Sequence, residues 1–209
     1  YYWPRLEKTL WAPSRDAGEL FDNIFIRQGY DFILCRDVAE QALADDPVFR
    51  ARLVAEMESG YRLYAPRPDV LNRALQDYFD RLPAIPKPVL GHIDILNGQT
   101  VRDLKKIRVR LSPGEDLTVI GWAADGTRKR PASGIYLQVG DRIIKTRSGL
   151  ARRDVAAYFR NPALRDCGFQ GVVPGGSVNE GVNRIYLLVL TQDQQAYYRT
   201  AFNVRIDKP

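Results

Sequence analysis

Apolar residues recur at every third or fourth position before residue 83 and at every second position after residue 88, so the chain reads as helices followed by strands. Over residues 16–43 they fall at Leu20, Phe21, Ile24, Phe25, Phe32, Cys35, Val38, Ala39, Ala42 and Leu43. Gly29 weakens the middle of that run, which leaves one helix or two. Asp46-Pro47 supplies an N-cap and a first helical position for the next helix, with Phe49, Leu53, Val54, Met57, Tyr61 and Tyr64 along one side. Gly60 weakens that helix by about 1 kcal/mol relative to Ala. A third helix follows Pro66-Arg67-Pro68 and carries Val70, Leu71, Ala74, Leu75, Tyr78 and Phe79, with Leu82 closing it. Residues 1–82 are therefore expected to form a small α-helical domain. Pro83, Pro86 and Pro88 remove backbone donors, so residues 83–88 form a stiff linker that either packs or swings.

Short β-rich runs follow, at 89–96, 106–111, 117–124, 134–139, 142–146, 168–173, 184–191 and 197–206. Asn97-Gly98, Ser112-Pro113-Gly114 and Gly140-Asp141 supply turns between them. One short helix, 152–159, ends at Asn161-Pro162. The expected architecture is α+β, with an antiparallel immunoglobulin-like β-sandwich over residues 89–209. The cysteine pair that ties the two sheets of antibody domains is missing, because this half contains only Cys167.

Charge sharpens the division. Residues 1–88 hold 12 Lys/Arg and 14 Asp/Glu, a net of −2, whereas residues 89–209 hold 19 and 11, a net of +8. Arg outnumbers Lys by 24 to 7, and planar guanidinium groups suit carboxylates and phosphates. Acidic partners such as anionic glycans or lipid headgroups fit that balance; surface ion pairs are the alternative. No long basic cluster, zinc-finger spacing or RNP-like aromatic motif points to nucleic acid. The longest apolar candidate, 24–35, is interrupted by Arg27, Gln28, Gly29 and Asp31 and falls short of a membrane span. A start at Tyr1-Tyr2-Trp3-Pro4 without an initiator Met points to a piece of a longer protein. Tyr1, Tyr2, Trp3 and Trp11 suit either an interfacial belt beside a preceding membrane helix or packing onto the helices.

Familiar catalytic and metal patterns are scarce. His92 is the sole histidine and would have to serve any Ser-His-Asp or Cys-His system, but its strand setting reads as structural. One His and two distant Cys exclude a zinc site. The stretch Gly171-Val172-Val173-Pro174-Gly175-Gly176 lacks the Lys-Ser/Thr of a phosphate loop. Asp45-Asp46 and Glu115-Asp116 read as caps or turn residues. Cys35 and Cys167 are either buried free thiols or a bridge across the linker. No cofactor is expected.

The series Gly121-Trp122-Ala123-Ala124-Asp125, Val139-Gly140-Asp141, Arg153-Asp154-Val155-Ala156 and Gly168-Phe169, followed by Ile185-Tyr186-Leu187, resembles a β-sandwich module of bacterial cell-envelope proteins. That module, with its GWA-x-D, V-x-G, R-x-DVA and GF elements, is appended to glycosyltransferases and related polysaccharide-modifying proteins. The resemblance covers residues 89–207. The first half looks like a soluble segment following the membrane region of a polytopic glycosyltransferase-like protein. Such a resemblance implies a non-catalytic accessory region that contacts glycan or positions an acceptor, membrane-associated, with the extracytoplasmic (periplasmic) face favoured and the cytoplasmic face the alternative. A protein–protein interaction module of an envelope assembly is the alternative, and the membrane-embedded remainder of the chain a further partner. Candidate binding residues are Trp122, Asp125, Arg128, Arg153 and Asp154. Trp122 is read as filling the core between sheets, with a sugar-stacking platform as the alternative. Asp154 sits in the first turn of its helix, where negative charge is favoured. Arg153 is read as pairing with Asp125 or Asp141, or as a ligand contact.

Overall fold

The computed structural model describes residues 33–36, 51–56, 61–103 and 107–208. The chain divides into two compact units, Tyr1–Leu71 and Asn72–Pro209. The first contains an antiparallel sheet of β1 (Ile33–Arg36), β2 (Ala51–Glu56) and β3 (Tyr61–Pro66), in the order β1-β3-β2. The helix expected from Asp46-Pro47 onward is thereby overturned: Ala51 pairs with Pro66 and Glu56 with Arg62. Tyr61-Arg62-Leu63-Tyr64 is rich in strand-forming side chains, and Gly60 lies outside the described residues. Cys35 likewise lies on a strand, and the remainder of the expected 16–43 helix lies outside the described residues, as does the aromatic start.

The third helix is present as α1 (Pro68–Arg81), with Asp69 in its first turn and Arg81 in its last, the arrangement the helix dipole favours. Leu75, Tyr78 and Phe79 are its buried positions. Phe79 meets Tyr136 and Tyr197 edge-on, each with ring centroids 5.1 Å away. Asn72 Oδ1 accepts the Ile143 N–H at 2.7 Å, and the Asn72 and Gln76 amides both donate to the Asp141 carbonyl. The compact units therefore divide within α1, not at the prolines. Residues 83–88, expected as a linker, are bound to the sandwich. Ala84–Ile85 (β4) pairs in parallel with the last strand, Tyr197 N–H donates to the Pro83 carbonyl, and Val89 N–H donates to Thr200 Oγ1.

The remaining strands are β5 (Leu90–Leu96), β6 (Gln99–Thr100), β7 (Arg108–Arg110), β8 (Leu117–Asp125), β9 (Arg130–Pro131), β10 (Gly134–Val139), β11 (Arg142–Lys145), β12 (Arg147–Leu150), β13 (Gly168–Val173), β14 (Gly181–Leu190) and β15 (Tyr197–Asp207). One six-stranded sheet runs β11-β10-β14-β15-β4 with β7 also on β15, and the other runs β12-β13-β8-β5-β6 with β9 on β8. Period-two alternation points Leu137, Ile185, Val189 and Val204 of the first sheet, and Val119, Ala123, Phe169 and Val173 of the second, into one shared core. The pairings are antiparallel except those of β4 and β7, both parallel to β15, a departure from the wholly antiparallel expectation. Among the described residues no helix is long and apolar enough to cross a membrane.

Turn chemistry follows the sequence. Asn97 and Gly98 both adopt positive φ, 46° and 79°, as a two-residue hairpin requires. Gly140 (φ 58°) opens the turn joining β10 to β11. Glu115 Oε2 accepts the Ser112 N–H and its Oε1 accepts from the Asn97 amide, so Glu115 clamps the Ser112-Pro113-Gly114 turn. Two strand pairs are bound so closely that only Gly fits. A Cβ on Gly121 would lie 2.2 Å from the His92 carbonyl oxygen, and one on Gly168 would lie 2.7 Å from that of Leu150. A register shift between Ile93 and Ile95 breaks the alternation of β5, so Leu96 joins Ile93 in the core.

Candidate functional site

Leu117, Val119 and Ala123 of β8 belong to the shared core, so Trp122 and Ala124 face the other way. There they meet Val155, Leu164 and Cys167, a second small cluster beneath a short helix, α2 (Arg153–Tyr158). Trp122 is half-buried and meets Phe159 edge-on at 5.6 Å. The expectation that it fills the space between the sheets is corrected. Strand parity turns it outward, where it props α2 against the second sheet.

Asp125 ends β8 fully buried. Its Oδ1 accepts the N–H groups of Thr127 and Arg128 at 3.0 and 3.1 Å and the Tyr198 hydroxyl at 3.2 Å. Its Oδ2 accepts the Gln192 N–H and Arg128 Nη1, both at 3.2 Å. Burial works against the charge, yet the Gln192, Arg128 and Thr127 contacts outweigh it and hold the carboxyl below its usual range. Arg128 reaches on to Asp193, Nη2 to Oδ2 at 2.6 Å. Asp125 and Arg128 thus clasp the end of β8 to the β14–β15 connection, one sheet to the other. Arg153 does not take part, because Arg128 already occupies Asp125 and no ion pair links Arg153 to Asp141.

The anchor of α2 is the neighbouring Arg152. Its Nη1 meets Asp94 Oδ2 at 2.5 Å, and its Nε and Nη2 grip both oxygens of Asp154 at 2.9 and 2.6 Å. Hydrogen bonding to Arg152 pulls the Asp154 carboxyl down to about 2, and the same pair raises Arg152. Asp94 Oδ1 also lies 3.1 Å from His92 Nδ1. Cys167 is a buried free thiol, and burial pushes it up to about 11. Among the described residues no group of three or more His, Cys, Asp or Glu is placed to hold a metal ion.

Past α2 the chain doubles back into a 3-10 helix (Pro162–Asp166), and Arg152 N–H donates to the Arg165 carbonyl to close the unit. The reversal is made at Arg160. Its N–H donates to the Ala157 carbonyl and the Asn161 N–H to that of Ala156, the paired bonds of a Schellman ending. Arg160 occupies the left-handed position usually given to Gly, with φ 48°, at a cost of about 1–2 kcal/mol. Asn161 caps the 3-10 helix through Ala163 N–H and donates its amide to the Lys129 carbonyl. Between the two helical turns lies an open recess of about 580 Å³ lined by Arg153, Ala156, Ala157, Arg160, Pro162 and Arg165. Tyr158, 82% exposed, ends the same short helix, and Phe159, 40% exposed, is its C-cap.

The five candidate binding residues therefore separate. Trp122 and Asp154 support α2, Asp125 and Arg128 form the clasp, and Arg153 alone lines the recess. Arg160, Arg165 and Tyr158 were missed from the sequence. Their one signal was the helix stop Phe159-Arg160-Asn161-Pro162, which ends α2 without a Gly.

No family model matches the chain, and no curated protein matches it. Among solved structures it is similar to an endo-beta-1,4-mannanase from Thermotoga petrophila, at 7% identity and a TM-score of 0.36, covering 74% of this chain and 29% of that one.

Proposed function

We propose that this chain is an accessory region of a bacterial membrane-associated glycosyltransferase-like protein, non-catalytic itself, whose immunoglobulin-like sandwich contacts glycan or positions the acceptor. The recess between α2 and the 3-10 helix carries the reading. Ala156, Ala157 and Pro162 line it with apolar surface and Arg153, Arg160 and Arg165 with hydrogen-bond donors, while Tyr158 is exposed on the same short helix. Sugar rings are amphipathic in the same way, with C–H faces that lie on apolar or aromatic surface and hydroxyls that seek fixed donors. The resemblance of the GWA-x-D to GF series to envelope modules supports the same assignment, as does the net +8 of residues 89–209, with 19 basic and 11 acidic side chains. The region belongs on the extracytoplasmic face of the membrane.

Titration of the chain with neutral and acidic envelope oligosaccharides at low salt tests this. Saturable binding of any of them agrees with the proposal. Absence of binding to all of them, with capture of an envelope protein by the same surface, gives the assembly-module reading instead.

A further inference from the structure

We infer that the recess between α2 and the 3-10 helix selects sugars that carry an anionic oxygen group, a phosphate or a carboxylate, held by Arg153, Arg160 and Arg165. The inference rests on the proposed glycan contact and names the ligand class at that site. Residues 151–167 contain four Arg and two Asp. Arg152 is fully engaged by Asp94 and Asp154. The other three guanidinium groups make no ion pair among the described residues, and Asp166 pairs with none of them. Three guanidinium groups without an ion-pair partner thus line one recess, and an anion bound there would meet all three. The fold also forgoes a Gly at Arg160, keeping a bulky cation in a left-handed conformation where it lines the recess. Ala156, Ala157 and Pro162 line the same recess and are uncharged and small, a surface that suits a sugar ring whose charged substituent meets the arginines.

The test is calorimetric titration of the whole chain, at low and at physiological salt, with trigalacturonate, glucose 6-phosphate, neutral maltotriose and inorganic phosphate. Both anionic sugars are expected to bind more tightly than maltotriose and to weaken several-fold as salt rises. Arg153→Ala and Arg165→Ala should each weaken them about tenfold. Both side chains are exposed, so circular dichroism melts of these variants should match the parent. Maltotriose bound as tightly as trigalacturonate, or an Arg153→Ala/Arg165→Ala double variant that binds like the parent, would overturn the inference while leaving glycan contact standing. Inorganic phosphate bound as tightly as the sugar phosphate would also overturn it, because the sugar would then contribute nothing. Failure of every sugar to bind removes the glycan reading itself.

Discussion

The Tyr198 hydroxyl donates to Asp125 Oδ1 at 3.2 Å across 73 positions of sequence, and with it the inner face of β15 is fastened to the last residue of β8. The same hydroxyl accepts the Thr127 N–H at 2.9 Å and lies 2.6 Å from Thr127 Oγ1. Both Tyr198 and Asp125 are buried, so neither group finds water when the other is removed. Tyr198→Phe should lower unfolding free energy by about 1–2 kcal/mol and Asp125→Ala by about 3 kcal/mol, since the latter leaves the Tyr198 hydroxyl and the Thr127, Arg128 and Gln192 N–H groups without their acceptor. A double-mutant cycle by urea denaturation should return a coupling of about 1 kcal/mol; additive losses would mean the contact is not formed.

Acid should loosen the second unit through two carboxylates. Asp125 and Asp154 both titrate below the ordinary carboxyl range in the folded chain, Asp154 near 2. An unfolded Asp binds its proton near 3.9, so the unfolded state takes up protons first as pH falls. The stabilisation is full above about pH 4 and is lost as pH drops toward 2. Exposure of Asp154 to solvent screens its ion pair and limits its share. Melting followed from pH 5 to pH 2 should show a fall in midpoint that is shallower in Asp125→Asn, whose starting stability is lower.

Cys167 gives a second probe of the same face. Its thiol is 1% exposed and titrates near 11, so little thiolate forms at pH 8. Labelling of Cys167 by iodoacetamide at that pH should be at least tenfold slower in the native chain than in urea. Trp122→Ala, by removing the prop beneath α2, should erase most of that protection and lower stability by about 2–4 kcal/mol.

Arg160 sets stability against binding. Arg160→Gly relieves the left-handed strain and should raise stability by about 0.5–1 kcal/mol, read from chemical denaturation. The same change should weaken binding of acidic saccharide, because it deletes one guanidinium from the recess. A variant that gains stability and keeps full affinity would show that Arg160 serves only the turn.

Strand periodicity is legible in most of the longer strands after residue 88. Gly134–Val139 and Gly168–Val173 were read to the residue, and Asn97-Gly98 marked its hairpin through local chemistry alone. Ile33–Arg36, Ala51–Glu56 and Tyr61–Pro66 were read as helical because apolar residues spaced by three and four also occur in paired strands with a bulge, as at Leu53 and Ala55. Ala84–Ile85 escaped notice because two residues carry no period, and its partner β15 supplies the order. Asp125 stands out in the sequence through the GWA-x-D element, but its clasp with Arg128 does not, because Asp193 and Tyr198 reach the pair only in three dimensions. The choice between Arg152 and Arg153 is set by which one points at Asp94, and sequence spacing carries no such direction.

The most direct measurement of glycan contact is a backbone-amide chemical-shift map of the isotopically labelled chain titrated with trigalacturonate at low salt. The account predicts saturable shifts concentrated in residues 153–165, around the recess, with the Asp125–Tyr198 clasp unmoved. Shifts that avoid residues 153–165, or no saturable shifts with this or any neutral envelope oligosaccharide, would contradict it.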